Sequence, residues 1–275
     1  MQKLIIIFLT LFTLGIFSQN LNAQVIPKNE RPVSADLGKF FYEDDIKYLY
    51  GGKQAHMHFD ISNCDLMDRQ FHYGIGREVF PALVKPAFID VNTAKEHFES
   101  LDKFLLVSFE GETKAYSVKD LTRHEVVNDK ISNKPIMAVY CILADLGAIY
   151  ERNMYGHTFT FALSGYTYWD EKVWDGMDGF VMWDRETESL WWPLIGEAVS
   201  GKMKGAKMKV MDESNWKQTT WKDITKNYKN AQILKPNQIY LPPPPNSWQT
   251  IFNINIEDVE ASPSVAPRWG QNTNM

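Results

Sequence analysis

The sequence predicts a β-rich α+β fold, with a mainly antiparallel or mixed sheet and a few peripheral helices. Three observations carry this expectation. From His56 onward, short apolar segments alternate with turn residues, as in Phe104–Phe109, Glu110-Gly111-Glu112, then Thr113–Val118, which reads as a hairpin around a glycine turn. Ile136–Leu143 is a nearly continuous apolar run, as expected of a strand buried on both faces. No sustained alternation of strand and helix patterns supports a doubly wound parallel sheet.

The elements follow in order. Met1-Gln2-Lys3 is a short basic start, Leu4–Phe17 is apolar, and Asn22-Ala23-Gln24 offers a small residue for cleavage. That is the layout of a secretory signal peptide over residues 1–23. Its uncharged run of about 15 residues is short of the roughly 20 that span a bilayer. Export to a periplasm or the extracellular space is therefore expected, with no transmembrane span after signal removal. Residues 24–55 read as a polar leader followed by one short helix within Leu37–Gly52. Residues 56–240 read as a single globular domain. Within it, Gly147–Tyr150 and His157–Ser164 are expected strands joined across Asn153–Gly156, and Phe180–Trp183 and Ser189–Trp192 flank a polar turn at Asp184–Glu188. Trp216–Tyr228 reads as a helix, because Trp221, Ile224 and Tyr228 fall on one face. Residues 241–275, starting with Pro242–Pro245, form a proline-rich connector and a polar tail.

Composition narrows the function. A formal net charge of -5 argues against a nucleic-acid binder, whose footprint is basic. Only 2 Cys in 275 residues exclude a disulfide-dense scaffold and a four-cysteine zinc knot. Gly201–Gly205 lacks the spacing of a phosphate loop, and its alternating lysines suggest a half-exposed strand.

The chemistry-bearing residues fall in two groups. His56, His58 and Cys64, with Met67 and His72 nearby, are the imidazole, thiolate and thioether types that suit copper or another transition metal. On a strand, His56 and His58 would share a face. His124 and Cys141 are the second group. Cys141 is a candidate nucleophile if His124 lowers its pKa, or a metal ligand with it. Asn128 stands where a zinc-protease helix needs its second histidine, so that zinc chemistry is incomplete. A Cys64–Cys141 disulfide is the rival reading of both thiols. Among the aromatic residues, Trp183 and Trp191 are expected in the core, and Tyr168, Trp169 and Trp174 are open candidates for ligand contact.

Ala115–Val118, His124–Asp129, Pro135–Cys141, Leu163-Ser164-Gly165, Asp184–Trp191, Gly196-Glu197-Ala198 and Gly201–Gly205 occur in the order that resembles the DUF3179 family, domains of unknown function. The likeness runs over roughly Lys103 to Val210 and implies a fold unit and a functional surface, not a reaction. It also implies Asn128, Asp129, Ser164, Asp184 and Arg185 as candidate pocket residues. Where the family's central strand ends Cys-Pro-Leu-Cys, this chain has Cys141-Ile142-Leu143-Ala144, so local dithiol exchange has lost a thiol. Three functions follow as expectations. One is an exported protein binding a transition metal, for metal handling or redox chemistry. Another is a Cys-dependent hydrolase or transferase. The third is a non-enzymatic envelope module for a glycan or small ligand.

Overall fold

A computed structural model describes residues 36–173 and 178–239. The expected signal peptide, most of the leader, Trp174 and the proline-rich connector and tail lie outside the described residues. Among the described residues, no helix is long and apolar enough to cross a membrane.

Three sheets stack in layers, and the middle one explains the long apolar run. Its strand order is Lys209–Val210, Leu146–Glu151, Lys134–Cys141, Val126–Ile131, Leu83–Val84, antiparallel except for the last pair. Side chains alternate across a strand, and here both faces are covered. Met137, Val139 and Cys141 enter one apolar cluster, while Ile136, Ala138 and Tyr140 enter another. No position in that strand needs to be polar, which is why alternation is invisible in its sequence.

The first cluster lies between the middle sheet and an antiparallel six-stranded sheet. That sheet has the order Asp36–Leu37, Phe71–Tyr73, Phe161–Tyr168, Gly179–Asp184, Leu190–Trp192, Glu197–Ala198. It holds much of the aromatic load, with Trp183, Trp191 and Trp192 fully buried. The expectation of Trp183 and Trp191 in the core is met. The second cluster joins the middle sheet to a third, ordered Trp216–Thr220, Lys103–Phe109, Glu112–Ser117, Gln232–Leu234, Phe88–Asp90. Phe104, Leu106 and Ala115 face outward from this third sheet and pack under the Trp221–Asn227 helix through Trp221 and Ile224. The fold is thus β-rich, with antiparallel and mixed sheets and peripheral helices, as the sequence predicts. The Lys103–Phe109/Glu112–Ser117 hairpin is present, with Glu110 and Gly111 both at positive φ in its two-residue turn.

Five local expectations are corrected. Leu37–Gly52 contains no helix. Phe40–Glu43 and Ile46–Leu49 pair as a hairpin, because Asp44 and Asp45 take the two positive-φ turn positions that short polar side chains tolerate. Trp216–Thr220 is an edge strand, and the helix starts only at Trp221, capped by Thr220 accepting a hydrogen bond from the Asp223 amide. His157–Ser164 is interrupted: Asn153–Met154 and His157–Thr158 form a small hairpin, while Phe161–Tyr168 belongs to the six-stranded sheet. Gly201–Gly205 is a turn rather than a strand. The strand expected over Ile136–Leu143 ends at Cys141, leaving Ile142 and Leu143 41% exposed, whereas the expected polar turn after Asp184 is present and mostly buried.

Candidate functional site

The short Val118–His124 helix sets the site. Ser117 caps it by accepting from the Asp120 amide at 3.0 Å. At its other end Glu125 adopts a left-handed conformation, φ 54, and its amide donates to Leu121 O at 2.6 Å. That reversal turns the chain directly into the Val126–Ile131 strand. The Tyr140 amide donates to Glu125 O at 2.9 Å, fixing the acid beside the end of the central strand. His124, the last helical residue, is held with Nδ1 2.7 Å from Pro81 O.

Glu125 lines a cavity of about 280 Å³ together with Cys141, Gly74, Ile75, Phe80, Ile142, Leu143, Leu163, Gly165, Tyr166, Thr167 and Phe180. Apolar side chains dominate the walls. One wall exists because two chain segments approach at backbone distance. Gly165 O accepts from the Gly74 and Ile75 amides at 3.0 and 3.2 Å. Gly165 sits at φ 82, and a Cβ there would lie 2.0 Å from Gly76 O. Only glycine fits such a position. The same point is a β-bulge between Leu163 and Tyr166, with Ser164 Oγ donating to Val181 O at 2.6 Å and accepting from the Tyr166 amide at 3.1 Å.

Three ionisable groups stand on the buried side of this cavity: Glu125, Cys141 and the Tyr166 phenol, which burial shifts upward. Glu125 is 9% exposed, and burial alone pushes its carboxyl up to about 8. Its side chain has no hydrogen-bond or ionic partner in the protein. At neutral pH it is therefore mainly a carboxylic acid and a hydrogen-bond donor. Burial pushes the Cys141 thiol up to about 12, and the neighbouring Glu125 adds to the shift. The backbone amides of Phe180, Ala144 and Leu143 face its sulfur and oppose that shift without reversing it. Sγ points toward Asp178 O at 4.0 Å.

Asp178 also anchors the wall. Its carboxylate lies 2.5 Å from His72 Nδ1 and accepts from Thr167 Oγ1 at 2.9 Å. His72 and Asp178 are both buried. This pair ties the start of the Gly179–Asp184 strand to its neighbours, just beyond Cys141.

The other predicted site residues are dispersed. His56 lies exposed in a 3-10 turn, Ala55–Met57, and His58 follows it, so strand alternation does not align them. His58 Nδ1 accepts from the Gly51 amide at 3.3 Å, its ring packs on Phe41 and Tyr50, and its pKa is lowered by burial. Cys64 is half-buried near Asp65, Lys47 and Lys204, with its thiol pushed up by burial. Cys64 and Cys141 are both free thiols, so the disulfide reading is not realised. Among the described residues no group of three or more His, Cys, Asp or Glu side chains is placed to hold a metal ion.

The residues suggested as pocket members do other work. Asn128 is fully buried and clamps two sheets: its Nδ2 donates to Phe161 O at 2.8 Å and its Oδ1 accepts from the Phe161 amide at 2.9 Å. Asp129 accepts from Lys114 Nζ and Tyr116 Oη, each at 2.9 Å, between the middle and third sheets. Asp184 accepts from Trp191 Nε1 at 2.7 Å and from Thr187, and Arg185 pairs with Glu78, not with Asp184. Tyr168 is a core residue whose hydroxyl accepts from the Met67 amide at 3.1 Å and lies 2.8 Å from Gln70 Oε1; Trp169 is half-buried.

Sequence reasoning missed Glu125 as a site residue. The signal was present: an acid directly preceding the apolar pair Val126-Val127. It also left His72 without its partner Asp178.

This arrangement is that of a layered β domain with a small, half-open, apolar cavity. Residues 77–242, more than half of the chain, match the family described as "Protein of unknown function (DUF3179)", and the chain belongs to that family. No curated protein and no solved structure gives a match.

Proposed function

We propose that this domain binds a small, largely apolar molecule in the Glu125–Cys141 cavity and acts as a binding module rather than through thiol chemistry. The observation that carries this reading is the partnerless Glu125 carboxyl. A hydrogen bond from an occupant of the cavity to this carboxyl, which no protein group pairs, is worth roughly 0.5–1.5 kcal/mol. Leaving such a carboxyl at the wall of an apolar cavity makes sense when something that enters the cavity completes it. The volume corresponds to about nine waters at roughly 30 Å³ each, so the ligand is compact.

The transition-metal reading has weaker support, because its proposed ligands His56, His58, Cys64, His124 and Cys141 sit in separate surroundings. A nucleophilic Cys141 is likewise disfavoured by a thiol held near 12 and by His124 being engaged at Pro81 O. The signal-like start supports export, placing the module in a periplasm or outside the cell.

The test is ligand-observed NMR of the purified protein with cumene, an apolar probe of about nine non-hydrogen atoms. Saturable binding below about 1 mM is expected. Leu143→Trp, which adds bulk at the half-exposed rim, is expected to abolish it without lowering the unfolding temperature. Absence of saturable binding to the unmodified protein would refute the proposal.

A further inference from the structure

The cavity has two unlike ends. Glu125 and Cys141 are 9% and 2% exposed, whereas Ile75, Ile142 and Leu143 at the rim are 39–41% exposed. Glu125 and Cys141 thus share the closed end with the buried Leu163, Tyr166 and Phe180, while the mouth is apolar. We infer that the Glu125 carboxyl recognises the polar end of an uncharged ligand that carries one hydrogen-bond acceptor, a carbonyl or ether oxygen, while the ligand's apolar body lies toward Ile75, Ile142 and Leu143. This rests on the pocket reading above and adds the chemical class and orientation of its occupant.

Charge complementarity selects an uncharged ligand. No lysine, arginine or histidine lines the cavity, so a ligand anion would be desolvated without a counter-charge. A ligand ammonium has three donors to satisfy, and the wall offers few free acceptors. Gly165 O already accepts twice, and an ammonium would have to ionise Glu125 inside an apolar wall, where the desolvation of both charges offsets their attraction. The Thr167 and Tyr166 hydroxyls have spent their own O–H donors on Asp178 and Tyr50 O, which leaves the Glu125 carboxylic acid as the oxygen donor on the wall. The other titratable groups on the wall are the Cys141 thiol and the Tyr166 phenol, both shifted upward by burial, and the adjacent His124 is directed to Pro81 O. Between about pH 6 and pH 9, Glu125 is the wall group that changes charge.

The experiment compares cumene with acetophenone, a probe of similar size that adds one carbonyl oxygen, by ligand-observed NMR on the full chain. For the native protein, Glu125→Leu and Glu125→Gln, the ratio of the cumene to the acetophenone dissociation constant is measured at about pH 6 and pH 9. Loss of the donor in Glu125→Leu is expected to lower that ratio at least fivefold, the worth of one buried hydrogen bond. Glu125→Gln, whose amide still donates, is expected to keep it at both pH values. The native ratio is expected to fall toward that of the leucine variant at pH 9, as the acid loses its proton. Two probes that bind with a ratio indifferent to residue 125 and to pH would overturn this inference and leave the apolar pocket standing. Neither probe binding at all would remove both. The native pH comparison decides the matter even where Glu125→Leu fails to fold.

Discussion

Replacing Glu125 by glutamine changes one atom and should change how stability depends on pH. The carboxyl titrates at 4.5 when solvated and at about 8 in the folded protein, where burial is the whole cause. Its folded pKa is raised, so between those values the folded state holds the proton more firmly than the unfolded chain. Stability must then fall as pH rises through that window. Below 4.5 the group is neutral in both states and costs nothing through ionisation. Above 8 it is ionised in both, and the full penalty applies. At about 1.36 kcal/mol per pKa unit, the loss across the window is roughly 5 kcal/mol, of which about 3 has accumulated by pH 7. Glutamine keeps the shape and cannot ionise. Urea unfolding of the two proteins at about pH 5, 7 and 9 isolates this contribution, since every other titrating group, including the buried Asp184, cancels in the difference. The variant's advantage should grow by about 3–5 kcal/mol from the lowest to the highest pH. Parallel curves, within about 0.5 kcal/mol, would show that Glu125 is hydrated or paired in solution and would remove the basis for reading it as a ligand donor.

Other measurements probe the walls. Near pH 8 a thiol titrating at about 12 is ionised to only about one part in ten thousand, so Cys141 should resist a disulfide-exchange reagent in the native protein and react on unfolding. Rapid native labelling of Cys141, located by peptide mass analysis, would contradict its burial. Asp178→Asn weakens the contact with His72 and should cost about 1–3 kcal/mol, read by urea unfolding, with faster amide exchange at Phe180. Gly165→Ala forces a Cβ into the Gly76 backbone at positive φ; a loss of at least about 2 kcal/mol is expected, and a neutral result would mean that the bulge is not formed.

The fold was legible where local chemistry was unambiguous. The Glu110-Gly111 turn pointed to a hairpin, and Ile136–Leu143 read most simply as a buried strand, which the structure ends at Cys141. It was illegible where two local signals compete. Asp44-Asp45 favours a turn more strongly than the surrounding pattern favours a helix. At Trp216–Tyr228 the helical spacing of Trp221, Ile224 and Tyr228 is real, but the residues before Trp221 complete a sheet edge against Lys103–Val107. The site was less legible still. Polar residues such as Asn128, Asp129, Asp184 and Arg185 drew notice by type, yet each is spent on holding layers together, because buried polar groups must find partners. Glu125 looks no different from them in sequence. What distinguishes it is having no partner, and a partner is a matter of space.

The sequence by itself determined the β-rich class, the family, the acidic balance and the scarcity of thiols, because composition, turn chemistry and ordered motifs are local properties of the chain. Only the tertiary structure decided that Cys64 and Cys141 remain separate, that His72 meets Asp178, and that Gly165 lets two segments close enough to enclose a cavity beside Glu125. Those outcomes depend on which distant residues are brought together and on what each leaves unsatisfied, and no spacing along the chain records either.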